Sequence, residues 1–145
     1  ARSAKEEDAL DHIFGYTVVN DITARDLQKR HQQWFLGKSI EGFCPLGPWV
    51  VPASAIPDPQ ALTIQTTVNG EVRQDASTAE MITSVAAQIA LISAGTRLHP
   101  GDVIATGTPA GVGAGMTPKG FLRPGDVVEV SISGVGSLRT PVVDP

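Results

Sequence analysis

The chain has 145 residues, of which 41% are hydrophobic and 18% charged, and its formal net charge is −4. This composition can bury a sizeable core and argues against intrinsic disorder. Its 11 Lys and Arg against 15 Asp and Glu give no basic surface for nucleic acid or an anionic membrane. The single cysteine, Cys44, excludes a disulfide framework. Because no apolar stretch is long enough for a membrane span or a leader, the sequence predicts a cytoplasmic protein.

The N-terminal residues predict a helix followed by a strand. Ser3 with Glu6 three residues later matches a capping box, and Gly15 is expected to end that helix. The β-branched run at residues 16–19 then predicts a strand.

A second helix is predicted over residues 23–33, which contain good helix formers and no helix breaker. Asp21 or Thr23 is the expected N-cap. Residues 34–48 lose this pattern and predict a loop. Within it, Cys44 is interpreted as a small buried residue rather than a nucleophile.

The clearest signal in the chain is a β-hairpin. Residues 62–68 alternate with a period of two, and Asn69-Gly70 offers a type I′ turn into residues 71–73. A further short strand, bounded by prolines, is predicted over residues 48–52.

A third helix is predicted from the capping box of Ser77 and Glu80 to Gly95. The sequence P-G-D-V then occurs at residues 100–103 and 124–127, each time before a predicted strand. Residues 106–120 between them form a glycine-rich loop of a length that is often functional. Three helices around a mostly β core predict the α+β class.

Several familiar catalytic and binding motifs are missing from the sequence. It has no G-x-S-x-G nucleophile motif, and residues 37–39 (GKS) lack the upstream glycine of a phosphate-binding loop. Residues 111–115 (GVGAG) lack the third glycine of a dinucleotide fingerprint. The histidines are too scattered for a zinc site: His12, His31 and His99.

One cluster could carry chemistry. The spacing of Asp21, Arg25 and Gln28 predicts a carboxylate, a guanidinium and an amide on one helix face, where they could bind a hard cation and an oxyanionic substrate. On spacing alone the simpler alternative is favoured, in which Asp21 is an N-cap with a surface ion pair to Arg25.

Four ordered segments change that balance: GYTVVNDITARDLQ at 15–28, GKSIEGFCPLGPWVV at 37–51, VNGEVRQ at 68–74 and PGDVIATGTPAGVG at 100–113. Together they resemble the fumarylacetoacetate hydrolase family over nearly the whole chain. The resemblance implies a mixed β-sandwich roll with a few peripheral helices, usually dimeric. It also implies one Mg²⁺ or Mn²⁺, in some members Ca²⁺, held by three carboxylates.

The resemblance also implies roles for individual residues. Asp21 matches one of the three metal-binding carboxylates. Arg25 and Lys38 match the catalytic cations, of which the lysine polarises the substrate carbonyl. The matches to residues that contact the substrate are Gln28, Gly107 and Thr108.

The chemistry that the resemblance implies is a metal-stabilised enolate formed from a 2-oxo or 1,3-dicarbonyl acid, in a homodimer of aromatic catabolism. Hydrolysis of a C–C bond in an acylpyruvate is the first expectation. The alternatives are isomerisation of 2-hydroxyhepta-2,4-diene-1,7-dioate or 5-carboxymethyl-2-hydroxymuconate, and decarboxylation of oxaloacetate. Outside enzymes, the chain could be a binding module with an incomplete site.

The sequence departs from the family in one respect. The other two metal ligands of the family form a Glu-x-Glu pair upstream of the segment that contains Asp21, and no Glu-x-Glu occurs in this chain. Residues 1–145 are therefore predicted to be the C-terminal part of a catalytic domain. One carboxylate with waters would bind Mg²⁺ poorly, so the chain alone is expected to turn over slowly or not at all.

Overall fold

The computed structural model describes residues 1–144 and contains two antiparallel β-sheets. The smaller sheet pairs β1 with β2, and the larger has the strand order β4-β3-β5-β6. The strands are β1 (Gly15–Val19), β2 (Leu46–Pro52), β3 (Thr63–Val68), β4 (Glu71–Ser77), β5 (Val127–Ile132) and β6 (Gly136–Pro141).

The two sheets pack against each other where β1 and β2 contact β6. Aliphatic side chains fill this interface. Val18 of β1 is fully buried at the centre of this contact. Its partners in the core are Ile56, Val128, Val130, Val135 and Leu138. The predicted α+β class with a mostly β core is confirmed.

The helices lie around the sheets and are short: α1 (Arg25–Arg30), α2 (Phe35–Lys38) and α3 (Val85–Gly95). In the described part of the chain, four 3₁₀ segments accompany them at Glu6–His12, Ala53–Ala55, Thr78–Glu80 and Gly113–Gly115. None of the helices in residues 1–144 has the length and apolar character needed to cross a membrane.

The predicted hairpin is confirmed. Asn69 and Gly70 both have positive φ, 53° and 83°, as a type I′ turn requires, and β3 and β4 flank them. The predicted strands at residues 16–19 and 48–52 are also present, as parts of β1 and β2.

The predicted N-terminal capping box is wrong. Ser3 has φ 51°, and the segment at Glu6–His12 is a 3₁₀ helix without a side-chain cap. The physical reason is a competing partner: the backbone N–H of Ser3 donates to the carbonyl of Ser93, and that of Ala4 donates to the Ser93 hydroxyl. Tertiary contact with α3 therefore determines the conformation of this segment.

The second helix is shorter than predicted. It begins at Arg25 with Ala24 as N-cap, so neither Asp21 nor Thr23 caps it, and it ends at Arg30. The stretch predicted as loop contains α2. Cys44, predicted to be buried, is exposed because it lies in a surface turn with left-handed backbone, φ 61°.

The third helix begins later than predicted. Ser77 accepts a hydrogen bond from the Ala79 N–H and so caps only a 3₁₀ turn. The α-helix starts at Val85, with Ser84 accepting from the Ala87 N–H, and it ends at Gly95 as predicted.

The two P-G-D-V segments form the same turn. Gly101 and Gly125 have φ 95° and 92°, and in each turn the aspartate side chain accepts a hydrogen bond from the residue before the proline. Only the second turn leads into a strand, β5. Val103 after the first turn is 62% exposed, and residues 1–144 place no strand beside it, so the strand predicted there is wrong for this part of the protein.

Candidate active site

A cavity of about 910 Å³ lies between the inner face of the four-stranded sheet and the segments around α1, α2 and the glycine-rich loop. Five of the six residues predicted for the site line it: Asp21, Arg25, Lys38, Gly107 and Thr108. Gln28 does not line the cavity, but its side chain accepts a hydrogen bond from Arg25, which does. The structure therefore brings together residues up to 87 positions apart in the sequence.

Lys38 is positioned by a close contact between α1 and α2. Gly37 is buried, and its carbonyl accepts a hydrogen bond of 2.9 Å from the Ala24 N–H. A Cβ atom on Gly37 would lie 2.9 Å from the backbone N of Gln28 and 3.1 Å from the carbonyl O of Ala24. Only glycine allows this approach, which carries the next residue, Lys38, to the cavity wall.

Lys38 forms an ion pair with Asp21 and donates a second hydrogen bond, of 3.1 Å, to the Thr23 hydroxyl. The side chains of Lys38 and Asp21 are 27% and 42% exposed, so solvent still screens the pair. The predicted helical face is wrong for Asp21, which precedes α1, and so is the alternative ion pair with Arg25. Lys38 rather than Arg25 pairs with Asp21, because α2 places the lysine directly opposite the carboxylate.

Arg25 and Gln28 do share a helix face, as their spacing predicts. The Arg25 Nη1 donates to Gln28 Oε1 at 2.9 Å. This bond fixes the plane of the guanidinium and leaves its other N–H groups for a ligand.

The glycine-rich loop supplies the opposite wall. Gly107 has φ 111°, a conformation that side chains disfavour, and Thr108 follows it. The Thr108 hydroxyl accepts a 2.8 Å hydrogen bond from Gln74 Nε2. Gln74 also lines the cavity, and although its motif contributes to the resemblance, the sequence assigns it no role.

Two buried polar atoms on residues that line this cavity have no hydrogen-bond partner among the described residues. They are Nδ2 of Asn20 and Nε of Arg73. Both are hydrogen-bond donors. The charged residues that line the cavity are of both signs: the cations Arg25, Lys38 and Arg73, and the carboxylates Asp21, Asp26, Glu41 and Asp144. The four-stranded sheet also contributes apolar side chains to the cavity, among them Ile64, Val128 and Val130.

The described residues do not make a complete metal site. Asp21 is a carboxylate at the cavity wall that could ligate a hard cation, but within residues 1–144 no three Asp, Glu, His or Cys side chains are grouped so as to hold one. A divalent cation needs about six oxygen ligands in this chemistry. Asp21 alone, already paired with Lys38, does not meet that requirement.

The sequence model of the family described as "Fumarylacetoacetate (FAA) hydrolase C-terminal" matches residues 1–143 of this chain. The chain belongs to the fumarylacetoacetate hydrolase family. Its assignment to this family of enzymes from the sequence is thereby confirmed.

Relatives of this chain include oxaloacetate tautomerase YisK from Bacillus subtilis, which is 53% identical over 94% of this chain and 46% of its own length. A solved fumarylacetoacetate hydrolase from psychrophilic Exiguobacterium antarcticum is 51% identical with a TM-score of 0.97, covering 100% of this chain and 52% of its own. Maleylpyruvate hydrolase from Sphingobium sp. SYK-6, in complex with manganese(II) and pyruvate, is 37% identical with a TM-score of 0.86. The match covers 99% of this chain and 49% of the hydrolase chain.

These superpositions confirm the family's fold for this chain. They also show that the chain spans about half the length of the relatives that it matches.

Proposed function

We propose that the protein containing this chain converts a short 2-oxo diacid of the oxaloacetate class between its keto and enol forms, through an enolate bound in the 910 Å³ cavity. The observation that carries the proposal is the single cavity lined by Arg25, Lys38 and Thr108. All three can donate hydrogen bonds to oxygen, and two of them are cations. Such donors stabilise an enolate more than the neutral ketone, because negative charge develops on oxygen as the proton leaves carbon.

Each residue has a distinct part in this proposal. Lys38, held by Asp21 and Thr23, donates an ammonium N–H to the reacting carbonyl oxygen. Arg25, oriented by Gln28, binds a substrate carboxylate through two parallel N–H groups. Thr108 donates its hydroxyl proton to an oxygen of the substrate, and the backbone at Gly107 allows the substrate to approach closely.

The choice of reaction is supported by the relative with 53% identity, an oxaloacetate tautomerase. The second candidate is C–C bond hydrolysis of an acylpyruvate, supported by the 37% identical maleylpyruvate hydrolase with bound pyruvate. Both begin with a 2-oxo acid whose enol or enolate the same donors would stabilise. Decarboxylation and diene-dioate isomerisation fit the same enolate step.

We further propose that Asp21 is one ligand of a divalent cation, Mg²⁺ or Mn²⁺ with Ca²⁺ as an alternative, as manganese in the 37% identical relative suggests. Such a cation supplies Lewis-acid stabilisation of the substrate oxygens. Because the described residues offer no complete ligand set, the remaining ligands would come from outside residues 1–145, which we propose to be the C-terminal part of the catalytic domain.

The proposal is tested on the whole protein with two substrates: loss of the enol absorbance of oxaloacetate, and release of pyruvate from an acylpyruvate. Lys38→Gln should lower kcat about 10²-fold, the usual cost of removing one oxyanion donor. The matched control is Lys29→Gln, an exposed lysine of α1 that does not line the cavity, and it should retain wild-type activity. A wild-type protein inactive on both substrates contradicts the proposal.

A binding module with an incomplete site is the non-enzymatic alternative. Calorimetric titration of the whole protein with Mn²⁺ and oxalate distinguishes it, since the enzyme should bind them together and Asp21→Ala should abolish that coupling. The homodimer, the cytoplasmic location and the place in aromatic catabolism stay predictions, and sedimentation tests the first.

A further inference from the structure

A β-bulge in β4 faces the cavity. Thr66 of β3 pairs with Gln74, and the next residue, Thr67, pairs with Val72, so Arg73 is an extra residue in β4. Consecutive strand residues normally point to opposite faces. The bulge removes that alternation, and Arg73 and Gln74 both line the cavity.

The glycine-rich loop packs directly on this bulge. A Cβ atom on Gly111, whose φ is 102°, would lie 1.8 Å from the carbonyl O of Arg73 and 3.1 Å from Gln74 Cγ. The loop backbone therefore lies directly against the strand at the bulge, with no room for a side chain at Gly111.

The amide of Gln74 makes two hydrogen bonds to the loop. Nε2 donates to the Thr108 hydroxyl oxygen at 2.8 Å and to the Pro109 carbonyl at 2.9 Å. A carbonyl can only accept, so the NH₂ group must face the loop. The Thr108 oxygen is thus an acceptor for Gln74, which leaves the hydroxyl proton of Thr108 to be donated elsewhere.

We infer that Gln74 is a positioning residue that sets the direction of the Thr108 hydroxyl, so that its proton is donated to a substrate oxygen in the cavity. This inference rests on the proposed function. Gln74→Glu is the sharpest test, because it keeps the shape of the side chain but replaces the donor with an acceptor. The Thr108 hydroxyl would then donate to the new carboxylate, and the substrate would lose that hydrogen bond.

The experiment is a double-mutant cycle on the whole protein, measured as kcat and KM for oxaloacetate tautomerisation and acylpyruvate hydrolysis. Gln74→Glu should lower kcat/KM about tenfold in the wild-type background, roughly the effect of one hydrogen bond. In a Thr108→Ala background it should have less than about a twofold effect, because the two residues act as a unit. Thr108→Ser, which keeps the hydroxyl, should retain the sensitivity to Gln74→Glu. Gln32→Glu, which adds the same charge at an exposed residue, is the control.

Equal losses from Gln74→Glu in both backgrounds, or no loss in either, would overturn the role of Gln74 while leaving the proposed function intact. A wild-type protein without either activity and without oxalate binding would overturn the proposed function and this inference together. If Gln74→Glu lowers Tm, Gln74→Met separates the effect of reduced stability from the effect on the Thr108 hydroxyl. That variant removes the amide donor without adding a charge and should show the same dependence on Thr108.

Discussion

Gly37→Ala is the change that most directly links packing to the site. The new methyl group would meet backbone atoms of α1, at 2.9 Å from the Gln28 N and 3.1 Å from the Ala24 carbonyl O. Ordinary contacts begin at 3.4 Å, so α2 must retreat. The retreat amounts to about half an ångström, and overpacking of this kind typically costs about 1–3 kcal/mol of stability.

The same movement carries Lys38 away from Asp21 and stretches the hydrogen bond between the Ala24 N–H and the Gly37 carbonyl. Displacements of about 1 Å in a catalytic group cost about 10²-fold in rate, so a loss of about tenfold in kcat/KM is expected from half that movement.

Urea unfolding and kcat/KM measured on the same preparations check this prediction. Gly95→Ala is the control, because nothing lies within 4 Å of its Cβ position at the end of α3, and it should be neutral or stabilising by about 0.5–1 kcal/mol. The reasoning is refuted if Gly37→Ala has the stability and activity of the wild type.

Three further predictions concern stability. Val18→Ala, at a fully buried position, should cost about 2–3 kcal/mol in urea unfolding through lost apolar burial and a residual cavity, and a cost below about 1 kcal/mol would contradict the core described above. Trp49→Phe should cost about 1 kcal/mol, because it removes the 2.7 Å hydrogen bond from Nε1 to the Val135 carbonyl; unchanged stability would show that the bond is not formed. Hydrogen bonds from the Asn69 side chain and the Arg123 N–H lower the pKa of Asp126, so its stabilising effect is present above the ordinary carboxyl pKa and is lost as the pH falls below about 4. Asp126→Asn should flatten the acid limb of a stability–pH curve, and an acid limb identical to that of the wild type would contradict this assignment.

Local signals predicted local structure well. The type I′ hairpin at Asn69-Gly70 and the end of α3 at Gly95 depend on backbone preferences of one or two residues, and both are present. Helix starts were predicted less accurately, because the Ser3 backbone and the Asp21 carboxylate form tertiary contacts instead of helix caps. Ser3 lies against Ser93, and Asp21 pairs with Lys38.

Five of the six residues named from the sequence line one cavity, but the contacts among them could not be predicted. Sequence motifs identified Asp21, Arg25, Lys38 and Thr108 as candidates. The pairing of Asp21 with Lys38, however, depends on the close contact of α1 and α2 at Gly37, which residue spacing does not predict. The role inferred for Gln74 depends on a bulge, and a bulge is a property of strand register that only the paired strands reveal.

The central claim is that this cavity stabilises an enolate, whatever reaction follows. The most direct measurement is exchange of the C3 hydrogens of pyruvate with deuterium in D₂O, followed by proton NMR with the whole protein. The wild type and Lys29→Gln should both catalyse the exchange, and Lys38→Gln should slow it by about 10²-fold. Absence of catalysed exchange in the wild type, or an unchanged rate in Lys38→Gln, would contradict the claim.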